Sequence, residues 1–293
     1  MCPLLPNLLL IRGLGHSGST ILDLALGAHP SIAGLGEAAR ILARPAPADG
    51  QRAPAQFRCE AKGSLRYTRR CSCGELAVDC PVWGPVLDWL PGHDDCSLAR
   101  KMAHLLACLE GHRQSRGAPL SWAVDSFQSD LTLLANQQMA AEQEAWDIRA
   151  LFLVRDCRSW VHATCRRSGR NQWRALVRWI RENQRIKAQL RRSGIPFLQL
   201  GYEELALAPE AALRLICTWL GLSFAPTMLA PGQHSSSHIL SCNRVRHDPE
   251  RSAHIHYDSS WLANRSLPLL LAPLLPGVGH LNQQLVYSNG LLP

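Results

Sequence analysis

Apolar residues along the chain come in short unbroken runs that stop at polar or glycine-rich turns. Leu8-Leu9-Leu10-Ile11 runs into glycines, Leu120 to Val124 ends at Asp125-Ser126, Ala150-Leu151-Phe152-Leu153-Val154 ends at Arg155-Asp156, and Pro196-Phe197-Leu198-Gln199-Leu200 precedes Tyr202-Glu203. Runs this short without alternation read as strands buried on both faces. Helical patterns fill the gaps: from Ser19 through Ile21-Leu22-Asp23-Leu24-Ala25-Leu26, from a cap at Ser97 to about Arg116, from about Asp130 to Ala145, from about 157, over 171–193, and over Pro209–Leu220 with Gly221 as the stop. Alternating strand and helix predicts an α/β fold with a mainly parallel sheet flanked by helices.

The first strand leads through Gly13-Leu14-Gly15-His16-Ser17-Gly18-Ser19-Thr20 into the first helix. The N-terminal amides of a helix lack partners, so strand, glycine turn and helix start together make an anion cradle, and the fold reads as P-loop-like with three layers. The spacing is that of the Gly-x-x-x-x-Gly-Lys-Ser/Thr loop, but Ser19 stands where the lysine belongs. That lysine reaches the β/γ-phosphates of a triphosphate, so its absence argues for another anion. A turn and short extended piece, Ala28-His29-Pro30 to Gly36-Glu37, then brings a carboxylate back toward the loop.

With 293 residues, 46% of them hydrophobic, the chain suits one domain over 1–293, interrupted by an irregular Cys/Pro-rich insertion at about 44–96. The net charge of +8 favours acidic partners. No run approaches a membrane span, and the first residues do not read as a secretory signal, so a soluble, cytoplasmic protein is expected. Of the 11 cysteines, Cys108, Cys157, Cys165 and Cys217 lie singly in apolar stretches as small hydrophobes. Cys59, Cys71, Cys73 and Cys80 could hold zinc. Because Cys-x-Cys departs from the usual knuckle spacing, free thiols or a disulfide are preferred and no metal is assigned. Arg170, Arg174, Arg178, Arg181 and Arg185 share one helix face, read as solvated or as meeting an anionic acceptor, with Leu176, Val177 and Ile180 on the core side. The tail from Gln233 to Arg246 is polar, and His234 and His238 read as loop residues near a nucleotide and not as metal ligands.

Taken together, Gly15 to Thr20, Ala28-His29-Pro30 with Gly36-Glu37, Val154-Arg155-Asp156, Tyr202-Glu203-Glu204-Leu205 before Pro209 and Leu220-Gly221-Leu222, and Asn243-Arg244 with Arg246 resemble the sulfotransferases that use 3′-phosphoadenosine 5′-phosphosulfate, PAPS. The likeness is to a bacterial His-Ser-Gly-Ser-Thr type akin to tyrosylprotein and carbohydrate sulfotransferases. It covers most of the chain outside the insertion, whose Cys71-Ser72-Cys73-Gly74 and Cys80-Pro81-Val82-Trp83 also look like a segment of bacterial members. The resemblance implies sulfuryl transfer from PAPS to a hydroxyl, or in second place an amine, of a small-molecule or carbohydrate acceptor, with no metal required; the arginine face allows that acceptor to be anionic, and neither a nucleic acid nor a membrane is expected as a partner. It places Gly15, His16, Ser17, Gly18, Ser19 and Thr20 on the 5′-phosphosulfate, and Arg155 with Arg244 and Arg246 on the 3′-phosphate. Tyr202 and Asn243 complete the nucleotide site.

Three departures stand out. His16 occupies a position usually basic, so the cation facing the leaving phosphate is only partly charged near neutral pH. The serine expected eight residues after Arg155 is Ala163, leaving Thr164 or Ser159 as substitutes. Asp125-Ser126-Phe127-Gln128 lacks the lysine of the Asp-Ser-Ser-Lys pattern. Glu37, 21 residues beyond His16, matches the catalytic glutamate of the tyrosylprotein-like enzymes and is the expected general base. The rival readings are a P-loop-like kinase or nucleotide-binding protein, which would want the missing lysine, and a polyanion-binding protein using the arginine face, for which no nucleic-acid module is visible.

Overall fold

The computed structural model describes residues 5–43, 69–129 and 147–292. Five strands, β1 (Asn7–Gly13), β2 (Ile32–Gly34), β3 (Trp122–Asp125), β4 (Ile148–Val154) and β5 (Phe197–Gly201), form one sheet in the order β2-β3-β1-β4-β5. Every pair is parallel. The four apolar runs are therefore β1, β3, β4 and β5, and β2 comes from the short extended piece between His29 and Gly36. Successive residues leave opposite faces of a strand. Leu8 and Leu10 accordingly enter one core with Phe152 and Val154, while Leu9 and Ile11 enter the other with Leu151 and Leu153. Both sets are buried, which is why these strands read as continuous hydrophobic runs. Each such side chain contributes about 1.5–3 kcal/mol relative to exposure.

Helices close both faces. Helix α1 (Ser19–Gly27) and the later helices α7 (Tyr202–Leu207) and α8 (Pro209–Leu220) cover one side through Leu22, Leu26, Leu205, Leu213 and Ile216. The other side takes α2 (Ala38–Leu42), α3 (Trp83–Trp89), α4 (Leu98–Gln114), α5 (Cys157–Ser168), α6 (Gln172–Ser193) and α9 (Val278–Val286). The expected cap at Ser97 forms, its Oγ accepting from Arg100 N at 3.2 Å, and α5 and α6 are capped in the same way, Asp156 Oδ1 accepting from Arg158 N at 2.9 Å and Asn171 Oδ1 from Arg174 N at 3.2 Å. The helix expected over about 130–145 lies outside the described residues.

Three sequence expectations need correction. The described half of the insertion holds α3, whose Trp83, Val86 and Leu87 are core residues, so its apolar positions were hidden among prolines and cysteines in a helix too short to show a period. The tail after Gln233 is not a solvated polar loop, because Ser237, His238, Ile239, Leu240 and Ser241 are all buried. On α6 the core side is Ala175, Leu176, Trp179, Asn183, Ile186 and Leu190, while Val177 is 52% exposed; Trp179, not Val177, sets the phase of the helix. No helix among the described residues is long and apolar enough to cross a membrane.

Candidate active site

A parallel sheet sends the ends of all its strands to one edge, and a strand-order switch beside the central strand opens a crevice there. β1 lies between β3 and β4, so the loop Leu14–Gly18 emerges at that switch. Gly18 is left-handed, with φ 92°, and a Cβ on it would lie 2.5 Å from the Tyr202 ring, so glycine is required for both reasons. His16 is also left-handed, with φ 73°, a conformation that costs a non-glycine residue on the order of 1 kcal/mol or more. Its surroundings hold it there. Trp160 Nε1 on α5 donates to Gly15 O at 2.8 Å, and Arg155 Nη1 donates to His16 O at 3.1 Å. A trans peptide points its N–H opposite its C=O, so fastening Gly15 O toward α5 aims the His16 N–H the other way. A Cβ on Gly15 would meet nothing within 4 Å, so the loop faces open space. It runs directly into the first amides of α1, the place at which the sequence leads one to expect an anion.

Arg155 lies just past β4 and is 7% exposed. Its Nε donates to Ser159 Oγ at 2.7 Å, its Nη2 pairs with Asp258 Oδ2 at 2.7 Å, and its guanidinium lies 4.7 Å from the centroid of Tyr202. Tyr202 is a floor under both Arg155 and Gly18; its hydroxyl donates to His256 O at 2.7 Å and accepts from Asp258 N at 3.1 Å. Ser159, one of the two possible substitutes for the serine missing at Ala163, is thus engaged in orienting Arg155. Thr164, the other, is 6% exposed on the same face of α5, one turn beyond Trp160, and its Oγ1 has no partner among the described residues. Asp258 was not legible in advance, since it sits in an irregular tail with no motif around it. Burial works to raise its pKa, but bonds from Ser260 and Arg155 outweigh that and hold it down at about 2.

The His16 ring carries a pKa below its ordinary value, first because of partial burial and then because of the positive charges of Arg167, Arg155 and Arg178. Arg167, near the end of α5, and Arg178, in the second turn of α6, are exposed, and Arg170, Arg174 and Arg181 continue the exposed basic flank. Arg185 is the member of this stripe with an acidic partner, Glu182, at 3.0 Å.

On the β3 side, Ser126 N bonds Gly36 O at 2.7 Å and places Glu37 at the same edge. Glu37 precedes α2, and its Oε2 accepts from Arg40 Nη1 at 2.8 Å and from Ser241 Oγ at 3.0 Å. Glu37 N also donates to Ser241 O at 2.7 Å. Two residues further along, Asn243 N donates to Thr20 Oγ1 at 3.4 Å. Since two residues span at most about 7 Å, Glu37 and the first turn of α1 are held close together. Glu37 Oε1 has no hydrogen-bond partner among the described residues. Gln128, standing where the lysine was expected, donates from Nε2 to Ile11 O at 3.1 Å beneath the loop, and its buried Oε1 is without a partner among the described residues.

Arg246 does not join Arg155. Its Nη1 donates to Cys242 O at 2.7 Å and its Nη2 to Leu240 O at 3.0 Å, so the guanidinium braces its own loop. Asn243 Oδ1 accepts from Val245 N at 3.4 Å and caps the turn Arg244–His247. His238 packs among cysteines: its Nδ1 lies 3.3 Å from Cys80 Sγ.

Two buried carboxyls brace the Glu37 turn. Asp23 Oδ2 accepts from Gly36 N at 3.1 Å, and Asp125 Oδ1 from Phe127 N at 3.1 Å. Burial is the main cause that pushes Asp23 up to about 8 and Asp125 to about 7. The folded chain then binds more protons than the unfolded one above the ordinary carboxyl range, so their contribution is full below about pH 4 and is lost as pH rises to about 8. Asp23→Asn keeps an acceptor for Gly36 N and removes this titration. Its Tm should therefore gain on that of the unaltered chain between about pH 5 and about pH 8.5, and parallel Tm curves would contradict the assignment.

Residues 147–226 match the sequence model described as the sulfotransferase family. That segment carries Arg155, Thr164 and Tyr202; the loop and Glu37 precede it. No curated protein matches the chain. Among solved structures the chain is similar to the sulfotransferase domain of the olefin synthase of Synechococcus PCC 7002, with 18% identity, 97% of this chain and 94% of that one covered, and a TM-score of 0.48. It is also similar to the sulfotransferase domain from the curacin biosynthetic pathway, with 19% identity, coverage of 94% and 92%, and a TM-score of 0.45. Sulfotransferase STF1 from Mycobacterium tuberculosis H37Rv is similar at 17% identity, coverage of 85% and 77%, and a TM-score of 0.41.

Proposed function

We propose that this chain transfers a sulfuryl group from PAPS to a hydroxyl of an acceptor that carries an anionic group. The observation that carries the reading is the meeting, at one sheet edge, of a lysine-free glycine loop, a buried arginine bonded to that loop and a carboxylate whose second oxygen has no partner among the described residues. The orphaned Thr164 Oγ1 and Gln128 Oε1 and the open space over Gly15 fit a polar ligand there. Bound PAPS would supply an electrophilic sulfuryl group with adenosine 3′,5′-bisphosphate as leaving group.

Each residue then has a distinct task. The loop amides and the start of α1 hold the 5′-end, while Arg155 offers a planar donor pair to the 3′-phosphate. His16, mostly neutral in the free protein, presents an N–H to developing negative charge; a nearby anion raises its pKa and favours the imidazolium. Attack by a hydroxyl requires its proton to leave as the S–O bond forms. Arg40 and Ser241 occupy Glu37 Oε2, so Oε1 is the oxygen that takes that proton. The basic flank of Arg167, Arg170, Arg174 and Arg178 favours an anionic acceptor, and the absent loop lysine disfavours a kinase.

Thermal shift tests the donor. Adenosine 3′,5′-bisphosphate at about 100 times Kd should raise Tm by roughly 5–10 °C, while ATP with magnesium at the same concentration should do little. Labelled PAPS with a panel of acidic hydroxyl acceptors then reads the transfer itself. Stabilisation by ATP and not by the bisphosphate, with no label transferred, would overturn the reading.

A further inference from the structure

Away from the anion loop, Cys71, Cys73, Cys80 and His238 bring three sulfurs and one ring nitrogen together, all within 4.8 Å of one another. Cys80 Sγ lies 3.3 Å from His238 Nδ1, 3.6 Å from Cys71 Sγ and 3.8 Å from Cys73 Sγ, and Cys71 Sγ lies 4.0 Å from His238 Nδ1. Zinc bound at about 2.3 Å by sulfur and about 2.0 Å by nitrogen requires ligand atoms roughly 3.5–3.8 Å apart in a tetrahedron. The four separations bracket that spacing. A disulfide would join only two of these groups and leave a thiol and an imidazole crowded beside it.

The surroundings of the sulfurs supply a second observation. The backbone N–H of Trp83 donates to Cys80 Sγ at 3.5 Å. Amides directed at sulfur favour thiolates, the form that binds metal. Trp83 Nε1 donates to His238 O at 2.7 Å and so fixes the backbone that carries the ring. Cys71, Cys80 and His238 are buried, and the protein fills all four positions, which is the pattern of a closed structural site and not of a catalytic one.

We propose that Cys71, Cys73, Cys80 and His238 bind one structural zinc ion. Three thiolates and one imidazole suit zinc over the oxygen-seeking cations. The fourth ligand is then His238, not Cys59, which lies outside the described residues. Binding replaces the thiol protons, which pass to solvent, and no redox step is involved. The ion would fasten the turn at 71–80 to the segment 237–241, which are already joined by Ser72 N to Ile239 O at 3.1 Å and Ser72 Oγ to Ser237 O at 2.6 Å. Ser241, which holds Glu37, lies three residues past His238, so the zinc anchors the support of the carboxylate.

The test is metal content, which is independent of whether the chain transfers sulfuryl groups. Full-length chain purified under reducing conditions without chelator should hold about one zinc by elemental analysis. Cys73→Ser, at the exposed ligand and so least disruptive to the core, and His238→Ala should each lose most of it. His238→Cys supplies a thiolate as the fourth ligand in place of the imidazole and should keep the metal, which a mere packing role for His238 would not achieve. The metal-free chain refilled with cobalt should show the visible bands of tetrahedral thiolate coordination. Zinc far below one per chain with no such bands, or a Cys71–Cys80 disulfide found by mass spectrometry in the reduced preparation, would overturn the site. His238→Cys holding no more metal than His238→Ala, both folded by circular dichroism, would overturn His238 as a ligand.

Discussion

Glu37→Gln should retain binding of adenosine 3′,5′-bisphosphate while sulfuryl transfer falls by about a hundredfold or more, the scale of losing a general base. Glutamine keeps the volume of the side chain and an oxygen to accept from Arg40 and Ser241, so the turn before α2 is preserved. What disappears is the proton acceptor. Turnover measured with labelled PAPS and a working acceptor, beside bisphosphate affinity by calorimetry, separates the two effects. Near-normal turnover would make Glu37 a brace for α2 and Ser241, and the base would have to be sought elsewhere at the sheet edge.

The parts of this site that could be read in the sequence are those whose reason is local. The loop Gly13 to Thr20 announces itself because a turn beside a helix start needs glycine where φ is positive, and Gly18 has φ 92°. Arg155 and Glu37 stand out as candidates because each closes an apolar run or a glycine-flanked return. What stayed hidden is long-range. Ser241 meets Glu37 across 204 residues, Asp258 meets Arg155 across 103, and His238 meets Cys80 across 158, and no pattern in the intervening chain encodes such a meeting. Arg246 is the converse case, a residue whose structural contacts the sequence did not show. A polar loop rich in arginine suggested a phosphate ligand, yet its guanidinium satisfies two carbonyls of that same loop. Those carbonyls would otherwise be costly in a segment this buried.

Arg155→Ala should weaken adenosine 3′,5′-bisphosphate by roughly a hundredfold, about 3 kcal/mol, and adenosine 5′-phosphate by only a few-fold, because a buried charged hydrogen bond is lost to the 3′-group alone. Calorimetric titration of both nucleotides checks this, with Arg155→Lys as the variant that keeps charge but not the paired donors. Asp258 makes the expectation sharper. In the free protein its carboxylate takes Arg155 Nη2 at 2.7 Å, the place a phosphate oxygen would claim, and its pKa of about 2 keeps it charged at every working pH. Asp258→Asn keeps a side chain able to accept from Ser260 and removes a negative charge that repels the phosphate, so bisphosphate affinity should rise several-fold in that variant and not in one already lacking Arg155. Equal losses for both nucleotides in Arg155→Ala would move the 3′-phosphate away from this arginine. The Arg155–Asp258 pair would then be a strut between β4 and the tail, bearing on the loop through His16 O alone.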